Sequence, residues 1–393
     1  MRAIKHRELK RMCEQMGPQQ AGKHLTEALH SGDLKAEDIS IRDWAVATMG
    51  YEFVDLCNPS LGGNDYVTKA LTEAEGVGPT AFANITGQII FSKIMDAYQA
   101  ANLVGLKLVD TVPTRLDGEK IPGIDWDDQT PNEPQDVGAG IPFPELGFGE
   151  DYIQTPSLKK FGRTVGVYKE TVFFDRTALV LAQAGKVGDL MAIWQEKLIM
   201  DGVTGSVTDF DSGGKWKWQG TEYAVYNASA VDWSSYFFVN EHTNALSDYT
   251  DIDAALLLYK NMRNPNTREP IDVSPTLTLL VVPNLEATAR NVTRATELRT
   301  TTGSTIQTIH ENPFSFINPI GSSYAYRRLI DKGSVSAANA AKYWWLGDFK
   351  KAFAWMENWP NTSRTEGEGI CVSPAVVSHG HDETCDAAAC AFG

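Results

Sequence analysis

No run of eighteen consecutive apolar residues occurs in the 393-residue chain, so no ordinary membrane-spanning helix is expected. The opening MRAIKHRELK is charged and lacks the apolar centre of a secretory signal. Synthesis and use in a cytoplasm is the expectation. Cysteine is scarce and odd in number: Cys13, Cys57, Cys371, Cys385 and Cys390. Their spacing gives no disulfide framework and fits a reducing compartment. Catalytic signatures are missing too. There is no G-x-x-x-x-G-K-[ST] loop to cradle a phosphate, no H-E-x-x-H zinc pair and no G-x-S-x-G nucleophile elbow. Nor is there an internal repeat or a low-complexity tract.

What is present is a globular composition, 42% hydrophobic and 22% charged, with a net charge of −15. The length allows two or three domains. The charge is unevenly spread. Residues 117–151 hold Asp117, Glu119, Asp125, Asp127, Asp128, Glu133, Asp136, Glu145, Glu150 and Asp151 against Lys120 alone. At the amino end Arg2, Lys5, Arg7, Lys10 and Arg11 face only Glu8. The bulk charge argues against a dedicated nucleic-acid binder.

Along the chain, residues 1–57 read as polar helices, with Gly32 and Gly50 where C-terminal caps belong. Apolar spacing predicts a helix over 82–103 and alternation a strand over 106–112. The acidic segment 117–156 is too rich in proline and glycine for a packed helix. Val165 and Val167 alternate with Gly166 and Tyr168 as a strand does. A long helix over 177–201 follows, capped by Asp175 or Thr177. Gly185 and Gly188 fall inside its apolar stripe and predict a bend, a break or a hinge, since each costs about 1 kcal/mol relative to alanine. Beyond it come a β meander over 213–238, a helix over 252–262, a strand over 276–282 and a helix over 285–298. Residues 341–359 read as a hairpin turning at Gly347-Asp348.

Three groups could carry chemistry. Asp127 and Asp128 could form an acid–base pair, but general acid–base work needs carboxylates held in a rigid cleft. A proline-rich, like-charged loop is a solvated face instead. His379, His381, Cys385 and Cys390 have donor types suited to zinc, at a spacing no standard site uses. They read as a flexible tail, and no metal or cofactor is assigned. Tyr343, Trp344, Trp345, Phe349, Phe353, Trp355 and Trp359 could stack sugars or bases, but adjacent-strand aromatics pack a core more readily.

A series of words in fixed order adds to this reading: AFANITGQII (81–90), LDGEKIPG (116–123), FGEDYIQTP (148–156), KETVFFDRT (169–177), LLVVP (279–283), RNVTRATE (290–297), WLGDFKKAF (345–353) and ENWP (357–360). Together they resemble the major capsid proteins of tailed phages, in the Mu-like major head subunit group. Residues 361–393 do not follow the family's usual ending and read as a Gly-, Ser-, Ala- and Cys-containing tail.

The resemblance implies an α+β chain with the Hong Kong 97-type capsid fold. It maps 1–107 to an amino-terminal helical arm and 108–172 to an extended E-loop hairpin. Residues 173–245 map to a spine helix and peripheral domain, 246–340 to an axial domain, and 341–360 to a return to the peripheral domain. The implied function is structural rather than enzymatic: an icosahedral shell of pentamers and hexamers around double-stranded DNA. It would be assembled in the bacterial host cytoplasm with scaffold, portal and decoration proteins and no membrane. Interface candidates are Asp125, Asp127, Asp128, Lys159, Lys160, Val165, Val167, Arg290, Arg294, Arg327 and Arg328. Lys159 and Lys160 are also the nominal lysines for the crosslink found in one branch of the family. Lys350 and Lys351 join the arginines as cations for the acidic loop. The alternatives are an encapsulin-like compartment and, in another class, a carbohydrate-active enzyme or binding module.

Overall fold

The computed structural model describes residues 6–49, 78–101, 103–113, 117–126, 137, 142, 148–159, 161, 177–218, 220–227, 239–262, 276–302, 306–357, 375–378 and 389–392. In chain order the helices are α1 (His6–Met16), α2 (Pro18–His30), α3 (Ile41–Met49), α4 (Gly78–Ala100), α5 (Gly105–Leu108), α6 (Thr177–Val203), α7 (Tyr249–Lys260), α8 (Glu286–Arg294), α9 (Ser323–Asp331), α10 (Ala337–Ala340) and α11 (Phe349–Ala352). The strands are β1 (Asp110–Pro113), β2 (Lys120–Trp126), β3 (Phe148–Gln154), β4 (Lys215–Trp218), β5 (Thr221–Ala224), β6 (Glu241–His242), β7 (Thr278–Val281), β8 (Glu297–Thr302), β9 (Ile306–Glu311), β10 (Asn318–Gly321), β11 (Trp344–Gly347), β12 (Phe353–Glu357), β13 (Ala375–Ser378) and β14 (Ala389–Phe392). Contacts divide the chain into two units. One draws on residues 1–102, 160–194 and 359–372, the other on 103–159, 195–358 and 373–393.

The described part of the first unit is helical. Pro18 sits in the first turn of α2, where its missing N–H costs nothing. Gly32, at φ +77°, ends the helix in the left-handed conformation expected there. Leu9, Leu25, Trp44, Ile89 and Leu181 share one buried cluster, and Ile41, Ala45, Ile90, Ile94, Val180 and Ala184 share another. Helices α1–α3 are therefore packed on α4 and on the start of α6. Thr177 opens α6, and its hydroxyl accepts the backbone N–H of Ile41 at 3.2 Å.

Helix α6 runs unbroken through both glycines, so the expected break is absent. The two differ in surroundings. A Cβ at Gly185 meets nothing within 4 Å. A Cβ at Gly188 would lie 2.3 Å from the carbonyl oxygen of Ile94 and 2.9 Å from the Ala97 side chain. Gly188 is there because α4 crosses too closely for a side chain.

In the second unit a five-stranded sheet runs in the order β10-β7-β11-β14-β6. Strand β7 pairs in parallel with β10, and α8 lies in the connection between them. This is the α/β element that the strand and helix patterns after residue 276 implied. The main core gathers Ile252, Leu256 and Tyr259 of α7, Leu279 and Val281 of β7, Val292 of α8, and Trp344 and Leu346 of β11. Helix α7 starts on a capping box. Asp248 accepts the N–H of Thr250 at 2.8 Å, and Asp251 accepts that of Asp248 at 3.0 Å. The helix expected over 285–298 ends at Arg294, where Asn312 takes up the terminal carbonyls. Its amide donates to Val292 at 2.8 Å and Ala295 at 2.8 Å.

Two further expectations change. The 341–359 hairpin does not form. Strand β11 pairs with β7 and β14, whereas β12 pairs with β1 and β13. The turn at Gly347-Asp348 leads into the one-turn helix α11, which carries the chain into another sheet. The strand over 106–112 is split between α5 and β1, because the backbone before α5 is captured as described below. Within the stretch read as a tail, β13 adds to β12 and β14 inserts between β11 and β6. The aromatics are core as expected: Trp344, Trp345, Phe349, Phe353 and Trp355 are fully buried.

Candidate assembly surfaces

Strands β2 and β3 carry the two ends of the acidic segment. They pair antiparallel from Lys120–Gln154 to Trp126–Phe148. The base of the hairpin is tied by local bonds. Thr155 donates its N–H and its hydroxyl to the Glu119 carbonyl at 2.9 and 3.0 Å, and Asp117 accepts the N–H of Leu158 at 2.8 Å. The pair does not stand alone, since β4 and β5 extend it into a four-stranded sheet, β2-β3-β4-β5. This answers the difficulty that an isolated two-stranded ribbon is marginal in water.

Asp125 lies on β2 opposite Gly149. Asp127, Asp128, Lys160, Val165 and Val167 fall outside the described residues. Lys159 is half-buried just after the hairpin. The arginines are less available than their sequence positions suggest. Arg290 pairs with Glu286 and Arg327 with Asp331, each one helical turn away. Arg294, at the end of α8, is exposed.

Arg328 is committed inward. Its Nε and Nη2 each donate at 2.6 Å to the two carboxylate oxygens of Asp201, near the end of α6. The two side chains are only 13% and 5% exposed. The fork geometry matches a carboxylate, and the bond to Asp201 pushes the guanidinium pKa further up. Neither the charge pattern nor the helical period revealed this pairing.

Glu196 was also missed. It is 2% exposed, and its Oε2 accepts the N–H of Gly105 at 2.6 Å. The backbone of Val104 adds a second bond. Oε1 has no hydrogen-bond partner among the described residues. Burial pushes the carboxyl pKa up, against the downward pull of these backbone donors and of Lys107. A Cβ at Gly105 would lie 2.7 Å from Oε2, so a side chain there would push the carboxylate off its backbone donors. The only sequence signal was a charged residue flanked by Trp194 and Leu198, where a helix turns inward.

Among the described residues no group of three or more His, Cys, Asp or Glu is arranged to hold a metal. His379, His381 and Cys385 lie outside them, and Cys390 lies on β14. No described helix is long and apolar enough to cross a membrane.

The family model for phage capsid proteins matches residues 152–370, more than half of the chain. The chain belongs to the phage capsid protein family. The capsid protein is thus a structural component of a phage shell, and its place is the virion capsid. The match spans the end of β3, all of α6 and the five-stranded sheet's β7, β10 and β11. Solved structures show distant similarity to the capsid protein. A capsid of a native GTA particle is 10% identical, covering 73% of this chain and 93% of that one, with a TM-score of 0.34. A structure from Mycobacterium phage Ogopogo is 11% identical over 74% and 91%, with a TM-score of 0.36. One from Gordonia phage Cozz is 13% identical over 74% and 85%, with a TM-score of 0.37. No curated protein matches the chain.

Proposed function

We propose that this chain is the major capsid protein of a tailed phage, with the Hong Kong 97-type arrangement, related to Mu-like major head subunits. It assembles through pentamers and hexamers into an icosahedral shell that encloses double-stranded DNA. The observation that carries this reading is the hairpin of β2 and β3. It bears a proline-rich acidic crossing between residues 126 and 148 that has no basic residue of its own. A closed shell needs one surface patch to meet a different patch on the next copy, and such a hairpin is suited to reaching it.

In this reading 108–172 is the extended loop, α6 the spine helix, and 246–340 the axial domain. Residues 1–107 are the amino-terminal helical region, and 341–360 return to the peripheral domain. Scaffold, portal and decoration proteins are its partners, DNA meets its inner face without sequence preference, and assembly takes place in the host cytoplasm. The carbohydrate-active alternative is not favoured: of the aromatics that motivated it, Trp344, Trp345, Phe349, Phe353 and Trp355 are buried, Tyr343 is half-buried, and Trp359 lies outside the described residues.

Size-exclusion chromatography followed by negative-stain imaging tests the reading. Void-volume material that resolves into closed, roughly spherical particles is the expected result. If only monomers or dimers elute, with or without the phage's own scaffold present, the reading fails.

A further inference from the structure

We propose that Asp117 is a site of spontaneous isoaspartate formation, where the folded chain rearranges its own backbone at the base of the β2–β3 hairpin. The chemistry is that of an Asp-Gly step and is independent of the shell reading. The Gly118 nitrogen attacks Cγ of Asp117 and closes a succinimide ring. One carboxyl oxygen leaves as water, taking the amide proton and a proton from solvent. Water then opens the ring. Cleavage at Cγ restores aspartate. Cleavage at the former main-chain carbonyl leaves the chain running through Cγ, as isoaspartate. The product is an isomer of the starting chain, so no oxidant, reductant or cofactor is required.

The chain has two Asp-Gly steps, 117–118 and 201–202, and no Asn-Gly step. The fold treats them oppositely. Asp201 is 3% exposed, and its two carboxylate oxygens each accept from Arg328 at 2.6 Å. Gly202 lies inside α6, where its N–H belongs to the helical ladder. Neither reacting group is free to approach the other. Asp117 is exposed and Gly118 half-buried, both ahead of β2. Among the described residues the Gly118 N–H makes no hydrogen bond. Gly118 holds φ at +71°, a conformation open to glycine, and it has no Cβ to obstruct its nitrogen on the way to the preceding carboxyl. Oδ1 of Asp117 accepts the N–H of Leu158 at 2.8 Å. That donor stands on an oxygen that gains negative charge as the nitrogen adds, which is how acyl-transfer intermediates are stabilised.

The product differs where the hairpin is tied. Isoaspartate lengthens the main chain by a methylene group and takes the side-chain carboxylate away from Leu158. It also displaces the Gly118 carbonyl, which accepts the Gln154 side-chain amide at 3.2 Å. The neighbouring Glu119 carbonyl holds the Thr155 hydroxyl at 3.0 Å. An ageing chain therefore loosens at the hairpin base while its buried Asp201–Arg328 pair stays intact.

The test uses the full chain, incubated folded in mildly alkaline buffer, with circular dichroism to follow the fold. Isoaspartate is read with an isoaspartyl methyltransferase and a labelled methyl donor, and located by peptide mapping. In the folded chain the 117–118 step should gain label at least about tenfold faster than the 201–202 step, which must wait for the helix to open. In urea the two steps should react alike. Asp117→Glu keeps a carboxylate but needs a larger ring, and should abolish label at its step. If the 117–118 step stays at background until urea is added, the fold protects it and the proposal fails. Equal labelling of both steps in the folded chain overturns the part given to their surroundings. Label that persists on the 117–118 peptide of Asp117→Glu places the reaction at another residue and also overturns the proposal.

Discussion

At Gly188 a methyl group has no room. The Ile94 carbonyl would lie 2.3 Å from it, and that atom belongs to a helix backbone that cannot step aside cheaply. Gly188→Ala should therefore destabilise the chain by about 1–3 kcal/mol, the range for overpacking. Gly185→Ala meets open space and should stabilise it by up to about 1 kcal/mol from helix propensity alone. Thermal unfolding of the two single variants separates them, and equal shifts of one sign would contradict the packing. Glu196 sets a second residue-scale expectation. Its carboxyl pKa is raised in the folded chain, so the proton is held more tightly when folded. The associated stability is fully present below the unfolded carboxyl pKa and is lost as pH rises through the raised folded value. Glu196→Gln cannot titrate. Its urea midpoint should change less with pH above the ordinary carboxylate range, and parallel pH curves for parent and variant would show that Glu196 contributes nothing to the slope.

At the scale of elements, α9 is fastened to the end of α6 by Arg328 and Asp201. Breaking a buried pair leaves one charge without compensation, at a cost of about 3–5 kcal/mol. Replacing both partners by apolar groups removes the desolvation burden with the attraction. Arg328→Met alone should lower stability by that amount, while Arg328→Met with Asp201→Leu should lose much less. A double-mutant cycle in urea reads the difference, and simple additivity would mean the pair is not coupled. Arg328→Lys should resemble the loss variant, since an ammonium cannot reproduce two parallel bonds. The same scale explains why the 341–359 hairpin was misread. Two apolar strands around Gly-Asp look alike whether they pair with each other or with separate sheets. Only α11 and the competing partners β7 and β1 decide it.

Across the whole molecule, each unit is assembled from separated stretches of chain. The amino-terminal helices are not an appendage. Leu9, Leu25 and Trp44 complete the core that holds Ile89 and Leu181. Removing residues 1–49 should uncover those two side chains and give a chain that melts lower or aggregates on a sizing column. A soluble truncated chain with an unchanged melting temperature would show that the helices add no stability. Any event that removes the amino-terminal region would expose apolar surface on α4 and α6.

The sequence by itself determined the elements whose signal is local. The apolar period of 180–198 specified α6, the run after residue 277 specified β7, and Gly32 ended α2, because each depends on spacing or on one residue's conformational freedom. Family membership was legible for the same reason, through short words in a fixed order. The tertiary structure decided everything that depends on a partner distant in the chain. It set Arg328 against Asp201, 127 residues away, and Glu196 against the backbone of Gly105, 91 residues away. It turned Gly188 from a weak point into a helix crossing. A charge in a sequence has no partner until the fold supplies one, and burial, which sets what that charge is worth, is a property of the fold alone.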